Sequence, residues 1–317
     1  MSPKSASAPL RDFLPAILAG ILAGSAHAQI FVGANDVIGE YTTSGTAINA
    51  SLISGLSTPW SMALDGNGNL FVANFGNGTI GEYTTTGATV NASLISGLNG
   101  PTGLVLDGNG DLFVANSGNG TVGEYTVSGT AVNASLISGV GQPQALALAA
   151  GGDLFVASRN SGGNPGTIGE YTTSGVAVNP TLIGNLSVPR GLTLDGNGDA
   201  YVLDSANDQV FEYLLDGTPV RQVVGSQDLG LPVAVSIDPA GDVFVADFDA
   251  NGIKEFTNAG QPVGSGLLIG NLTDVSSLLV ETPEPSPALL AVMGAGIFAC
   301  VRNLGSRRWL RGRWPAP

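Results

Sequence analysis

The apolar residues of the chain fall into short runs that repeat. Leu70-Phe71-Val72-Ala73-Asn74 returns as Leu112-Phe113-Val114-Ala115-Asn116 and as Leu154-Phe155-Val156-Ala157-Ser158. It returns again as Ala200-Tyr201-Val202-Leu203-Asp204 and Val243-Phe244-Val245-Ala246-Asp247, and Ile30-Phe31-Val32-Gly33-Ala34 is an earlier copy. Successive copies stand 40, 42, 42, 46 and 43 residues apart. Three other segments lie between copies: Gly81-Glu82-Tyr83, the mixed run Val90 to Ile95, and Pro-x-Gly-Leu-x-Leu-Asp at Pro101 to Asp107. Gly, Asn, Asp and Pro separate these runs, so each unit reads as four short strands joined by turns. Leu104 and Leu106, two apart, share one face of a strand.

Four strands in every unit of about 40–45 residues is the pattern of propeller blades. Parallel β-helices and leucine-rich repeats have shorter periods. The phase of the repeat says more. We call the Pro-x-Gly-Leu segment strand a and the Phe-Val-Ala segment strand b. Strand a occurs at 59–65, 101–107, 143–149, 189–195, 232–238 and, in a degenerate copy, 275–281. Strand b also occurs six times, but the series starts with a b strand at 30–34 and ends with an a strand at 275–281. These unmatched ends complete one blade only if they meet. The expected fold is therefore all-β: a six-bladed propeller of four antiparallel strands per blade, closed by N-terminal strands b, c and d pairing with the C-terminal strand a. Closure protects the strand edges that an open array would expose.

The unit Pro101-Thr102-Gly103-Leu104-Val105-Leu106-Asp107-Gly108-Asn109-Gly110-Asp111-Leu112-Phe113-Val114-Ala115-Asn116 resembles the NHL-repeat pattern P-x-G-I-A-V-D-x-x-G-N-I-Y-V-A-D, across about 29–281. The resemblance implies the fold and leaves function open, because NHL propellers include binding modules, scaffolds and lyase or lactonase enzymes. No Gly-His…Trp-Asp pair of the WD type is present. Lyase-like propellers of the virginiamycin type use a catalytic His, and residues 29–281 contain none. Gluconolactonase-like propellers hold a divalent metal in the channel with an early Glu and later Asn and Asp. Here the first a strand reads Ser57-Thr58-Pro59-Trp60-Ser61-Met62, without a Glu, and no later segment matches clearly. No catalytic residue is carried over from either family. No cofactor is expected, except a divalent metal if the lactonase alternative holds.

The two ends read as addresses. Lys4 and Arg11, the apolar run Phe13 to Gly24, and Ala26-His27-Ala28 form a secretory signal over 1–28, with cleavage expected between Ala28 and Gln29. At the other end, Pro283-Glu284-Pro285 precedes the apolar run Ala288 to Val301 and then Arg302, Arg307, Arg308, Arg311 and Arg313. This order resembles the PEP-CTERM sorting signal of Gram-negative bacteria, over 282–317. The resemblance implies a transient membrane-spanning helix and an exosortase-type enzyme that recognises Pro-Glu-Pro. Signal peptidase and that enzyme are the expected processing partners. The destination would be the cell surface or the extracellular space. The 14-residue run spans about 21 Å as a helix, short for an ordinary anchor.

Composition narrows the remainder. The body at 29–281 carries four basic residues (Arg159, Arg190, Arg221 and Lys254) and 23 acidic ones, a net charge of −19. Such a surface repels anionic polymers, so nucleic acid is not expected as a partner. The single Cys300 and single His27 lie in the end segments, which removes Ser-His-Asp and Cys-His chemistry from the body. Asp107-Gly108-Asn109-Gly110-Asp111 has the 1-3-5 spacing of a calcium loop, but Leu112 and Gly118 stand where an EF-hand needs Gly and Glu. A tight turn capped by its own Asp explains it better.

Asymmetry among the copies is the better pointer to a site. The residue after the strand-a Pro changes from Trp60 to Thr102, Gln144, Arg190 and Val233, and the b–c loops differ in later copies. We therefore expect a ligand surface at the channel mouth, with Trp60, Gln144, Arg159, Arg190, Asp204 and Asp247 as candidates and no metal ligands. The reading is a secreted, surface-sorted propeller acting as a non-catalytic binding or structural module of the envelope or extracellular matrix. Extracellular polysaccharide or protein is the expected partner. The alternative is a metal-dependent, lactonase-like hydrolase working in the channel.

Overall fold

The computed structural model describes residues 28–281, apart from positions 161 and 163. Residues 1–27 of the expected secretory signal lie outside this range, and the Pro283-Glu284-Pro285 motif lies outside it altogether. Within it, twenty-four strands form six four-stranded antiparallel sheets. Blade 1 orders β24 (Val275–Glu281), β1 (Gln29–Ala34), β2 (Val37–Thr42) and β3 (Ala47–Ile53) from the channel outward. Blade 2 runs β4 (Pro59–Leu64), β5 (Asn69–Asn74), β6 (Thr79–Thr84) and β7 (Thr89–Ile95). Blade 3 runs β8 (Pro101–Leu106), β9 (Asp111–Asn116), β10 (Thr121–Thr126) and β11 (Ala131–Ser138). Blade 4 comprises β12 (Gln142–Leu148), β13 (Asp153–Arg159), β14 (Gly166–Thr172) and β15 (Ala177–Leu186). Blade 5 comprises β16 (Pro189–Leu194), β17 (Ala200–Asp204), β18 (Gln209–Tyr213) and β19 (Pro219–Val224). Blade 6 comprises β20 (Pro232–Ile237), β21 (Val243–Asp247), β22 (Gly252–Phe256) and β23 (Pro262–Ile269).

The ring closes as the phase of the repeat requires. β1 pairs antiparallel with β24, matching Ile30 to Val280, Phe31 to Leu279 and Val32 to Leu278. Ser276 Oγ and Ser277 Oγ donate to the Pro59 carbonyl at 2.6 and 3.1 Å, which ties the closing strand to blade 2 as well.

Strand b is apolar at successive positions because both of its faces are buried. Phe71 and Ala73 point into the gap toward blade 3, where Leu104, Leu112, Val114 and Tyr125 meet them. Leu70 and Val72 point the other way, against Phe31, Ile38 and Ile53 of blade 1. The core is thus six apolar layers, one between each pair of neighbouring blades. Each large side chain so buried stabilises the ring by roughly 1.5–3 kcal/mol. The Gly of the Pro-x-Gly motif has its reason here. A Cβ on Gly103 would sit 3.1 Å from the Ala145 backbone, so only Gly lets adjacent strands a approach this closely around the channel.

The outer strands differ. Most of β3, β7 and β11 is exposed, and each is joined to its inner neighbour through register shifts. At these irregularities Asn49, Asn91 and Asn133 accept the N–H of Ser51, Ser93 and Ser135, each at 3.1 Å. The recurring Asn-Ala-Ser therefore has a local structural role, an Asx turn that shapes a bulged edge.

Candidate functional site at the channel mouth

Strand b and strand a meet at one face of the ring, where the b–c and d–a loops lie together. At this face the side chain that closes strand b works as a latch in blades 2, 5 and 6. Asn74 Oδ1 accepts the Ser57 N–H at 3.3 Å. Asp204, 2% exposed, accepts the N–H groups of Ser187 and Val188 at 2.9 and 2.7 Å and the Asn207 amide at 2.8 Å. Asp247, 0% exposed, accepts from Gly230 at 3.0 Å and pairs with Lys254 Nζ at 2.8 Å. Asp204 and Asp247 therefore lie beneath the loops, with their oxygens committed to loop backbone that would otherwise be buried without acceptors. They line neither of the two cavities of the channel and its mouth.

The opposite face is built from a–b turns. Asp65, Asp107, Asp195 and Asp238 each accept two N–H bonds from their own turn, at 2.8–2.9 Å. These bonds hold the Asp65 and Asp107 carboxyls below the usual range despite an opposing cost of burial. Gly110 completes its turn at φ +88°, a conformation that a side chain would strain. The calcium-like spacing is thus a self-capped turn.

Two columns of residues encircle the mouth. The residue after the strand-a Pro is Trp60, Thr102, Gln144, Arg190, Val233 or, in blade 1, Ser276. The residue after the five-residue strand-b repeat is Asn35, Phe75, Ser117, Arg159, Ser205 or Phe248. Several hydroxyls are consumed by the frame: Thr102 Oγ1 donates to Pro143 O at 2.8 Å and Ser205 Oγ to Pro232 O at 2.6 Å. Gln144 Nε2 bonds the carbonyls of Gln142 and Pro143 at 3.2 and 3.3 Å. Trp60, Arg190 and Phe248 line the mouth cavity instead.

Arg190 and Trp60 come from blades 5 and 2, which stand opposite one another in the six-membered ring. The Arg190 guanidinium lies 5.5 Å from the centroid of the Trp60 ring, and Trp60 packs on Phe75 at 4.9 Å between centroids. A guanidinium over an indole face is attractive. The contact spans the channel and joins two cavities. One, of about 370 Å³, is the channel, lined by aliphatic residues such as Met62, Leu104, Leu146 and Leu192, with Arg190 its one charged member. The other, of about 460 Å³, opens at the mouth between Asn35, Asp36, Trp60, Arg190, Phe248 and Asp274. Burial lowers the Arg190 pKa from its usual value, and the nearby charge of Arg159 acts in the same direction.

Of the sequence candidates, the structure brings Trp60, Gln144 and Arg190 together at the channel. It sets Arg159 on the adjacent rim and places Asp204 and Asp247 below. It adds Phe75 and Phe248, each 37% exposed. Comparing the residue after strand b from copy to copy would have found both, because they occupy the column of Arg159. The channel does not fit the metal site of a lactonase-like enzyme. Its lining offers no carboxylate, imidazole or thiol, and among the described residues no three His, Cys, Asp or Glu side chains converge on a cation site.

Residues 98–125 match the NHL repeat. The match covers strands a, b and c of blade 3, and the other five blades share its four-stranded architecture. No curated protein matches the chain. Among solved structures it is similar to a chain of a nidogen–laminin complex, at 16% identity and a TM-score of 0.65, covering 80% of this chain and 98% of that one. It is also similar to a gluconolactonase from Xanthomonas campestris, at 15% identity and a TM-score of 0.60, covering 82% and 96%. A streptogramin B lyase follows at 14% identity and a TM-score of 0.54, covering 74% and 72%. These likenesses concern the fold. One relative is part of a complex between proteins and two are enzymes, so the propeller fold alone does not choose between binding and catalysis.

Proposed function

We propose that this chain is an exported binding or structural module whose contact surface is the channel mouth, and that it does no chemistry of its own. The observation that carries the reading is the distribution of side chains along the channel axis. The channel is aliphatic, while Trp60, Phe248 and Arg190 gather at one opening beside Asp36 and Asp274. Such a gradient suits recognition at a concave rim. Hydrolysis needs a polarising or proton-transferring group beside the reacting carbonyl. The nidogen fold relative, seen in a complex with laminin, supports the same reading.

In this proposal signal peptidase removes residues 1–28. An exosortase-type enzyme reads Pro283-Glu284-Pro285, and the ring is delivered to the cell surface or the medium of a Gram-negative bacterium, where it meets extracellular polysaccharide or protein. Mass spectrometry of the secreted chain tests the processing: Gln29 at the N-terminus and loss of the Arg-rich tail are expected, and a fully exported chain with an intact tail contradicts it. Activity is tested by incubating the purified chain with sugar lactones, with and without divalent cations. No cation-dependent hydrolysis is expected. Turnover that a chelator abolishes would establish the lactonase alternative instead.

A further inference from the structure

The body holds four basic residues against 23 acidic ones. Two of the four are committed. Arg221 pairs with Glu212, and Lys254 pairs with Asp247 while also donating to Asp228 O at 2.7 Å. The other two, Arg159 and Arg190, sit on adjacent blades at the mouth. Neither makes a side-chain hydrogen bond or an ion pair among the described residues. Arg190 is half-buried, and its contact with the Trp60 ring uses none of its five N–H donors. A partly desolvated cation with unmet donors gains from an acceptor that completes it.

The surroundings restrict that acceptor. A guanidinium fork matches a planar carboxylate in bidentate fashion. Asp36 and Asp274 border the same cavity without reaching Arg190 at ion-pair distance. They disfavour a multiply charged anion and offer acceptors to hydroxyl groups. Asp36 already accepts the Thr58 N–H at 2.6 Å through one oxygen, which leaves the other available. The volume of about 460 Å³ suits a small molecule or one residue of a polymer.

We propose that the mouth binds a hydroxylated monocarboxylate of the uronate type, its carboxylate on Arg190 with Arg159 as the supporting charge. This rests on the reading of the mouth as the binding surface. Trp60 is the reporter, because the chain's other tryptophans are Trp309 and Trp314. The test uses the full chain carrying Trp309→Phe and Trp314→Phe, titrated with D-galacturonate and with its uncharged methyl ester while Trp60 emission is followed. Galacturonate should give a saturable change, with the ester at least about tenfold weaker, the ratio that one charged contact commonly supplies. Arg190→Gln should abolish that ratio while the thermal unfolding midpoint stays near that of the parent. Equal binding of acid and ester, no saturable response to galacturonate, or an unchanged ratio in Arg190→Gln would each overturn the proposal. Equal binding leaves the mouth as a recognition surface, whereas chelator-sensitive lactone hydrolysis by the same sample removes that broader reading.

Discussion

The two faces of the ring are made from the same repeat and carry different chemistry. At the a–b face, four blades place an Asp at the same position, and each Asp spends one oxygen on two N–H groups of its own turn. Strand c adds a Glu near this end. Glu82, Glu124 and Glu255 have pKa values raised first by burial and then by the charges of the turn aspartates. At the b–c face scarcely any column is uniform. Trp60, Gln144 and Arg190 replace one another after the same Pro, and the latch below them changes from Asn74 to Asp204 to Asp247. The repeated positions serve the backbone of their own turn. Varied positions are free of that demand, and the ring brings them together at one opening.

Breaking a latch should cost most. Asp247→Ala takes the counter-charge from Lys254 and removes the acceptor of loop N–H groups, so a loss of about 3 kcal/mol is expected from chemical unfolding, the low end for one partner taken from a buried ion pair. A cost under 1 kcal/mol would mean that Asp247 is not structural and would return it to the list of ligand candidates. Asp107→Ala should cost less, about 1 kcal/mol by the same measurement, because water reaches the N–H groups it leaves behind. If the two substitutions cost the same, the contrast between a buried latch and an exposed turn fails.

The architecture was legible in the sequence because burial between blades demands the same thing of every copy. Leu70-Phe71-Val72-Ala73 is apolar throughout since neighbours cover both faces, and that requirement repeats with the blade period. Closure was legible from the phase, since Ile30 and Val280 lacked partners until joined. The site was legible in part. Trp60 and Arg190 stood out as exceptions in a column, but their contact across the channel joins residues 130 positions apart and leaves no local trace. Asp204 and Asp247 looked like variable loop acids. Their latch role depends on d–a loops 16 or 17 residues earlier, which strand periodicity does not reveal. Phe75 and Phe248 were hidden because each lies just past the Asn or Asp that closes the strand-b repeat, outside the copies being compared.

The smallest expected effect sharpens the a–b face. Glu40, Glu82, Glu124, Glu170 and Glu255 have pKa values raised from 4.5 in the folded ring, with burial the first cause in each. A raised carboxyl pKa means that the folded state holds its proton more tightly than the unfolded chain. Its contribution is therefore full below 4.5 and is lost as pH rises through the raised value. Asp65 and Asp107 act oppositely, losing their contribution as pH falls below 3.8. The unfolding midpoint should accordingly peak in mild acid and decline toward neutrality. Glu82→Gln should flatten the decline, and a midpoint that rises steadily from pH 4 to 7 would show the glutamates to be unstrained.

The most direct test of a working mouth and a scaffold face is hydrogen exchange of the full chain, read by mass spectrometry with and without galacturonate. Slower exchange should be confined to the loops around Asp36, Thr58–Trp60, Phe75, Arg159 and Arg190, with the turns at 65–69 and 107–111 unchanged. Protection appearing at those turns, with the mouth loops unaffected, would contradict the account.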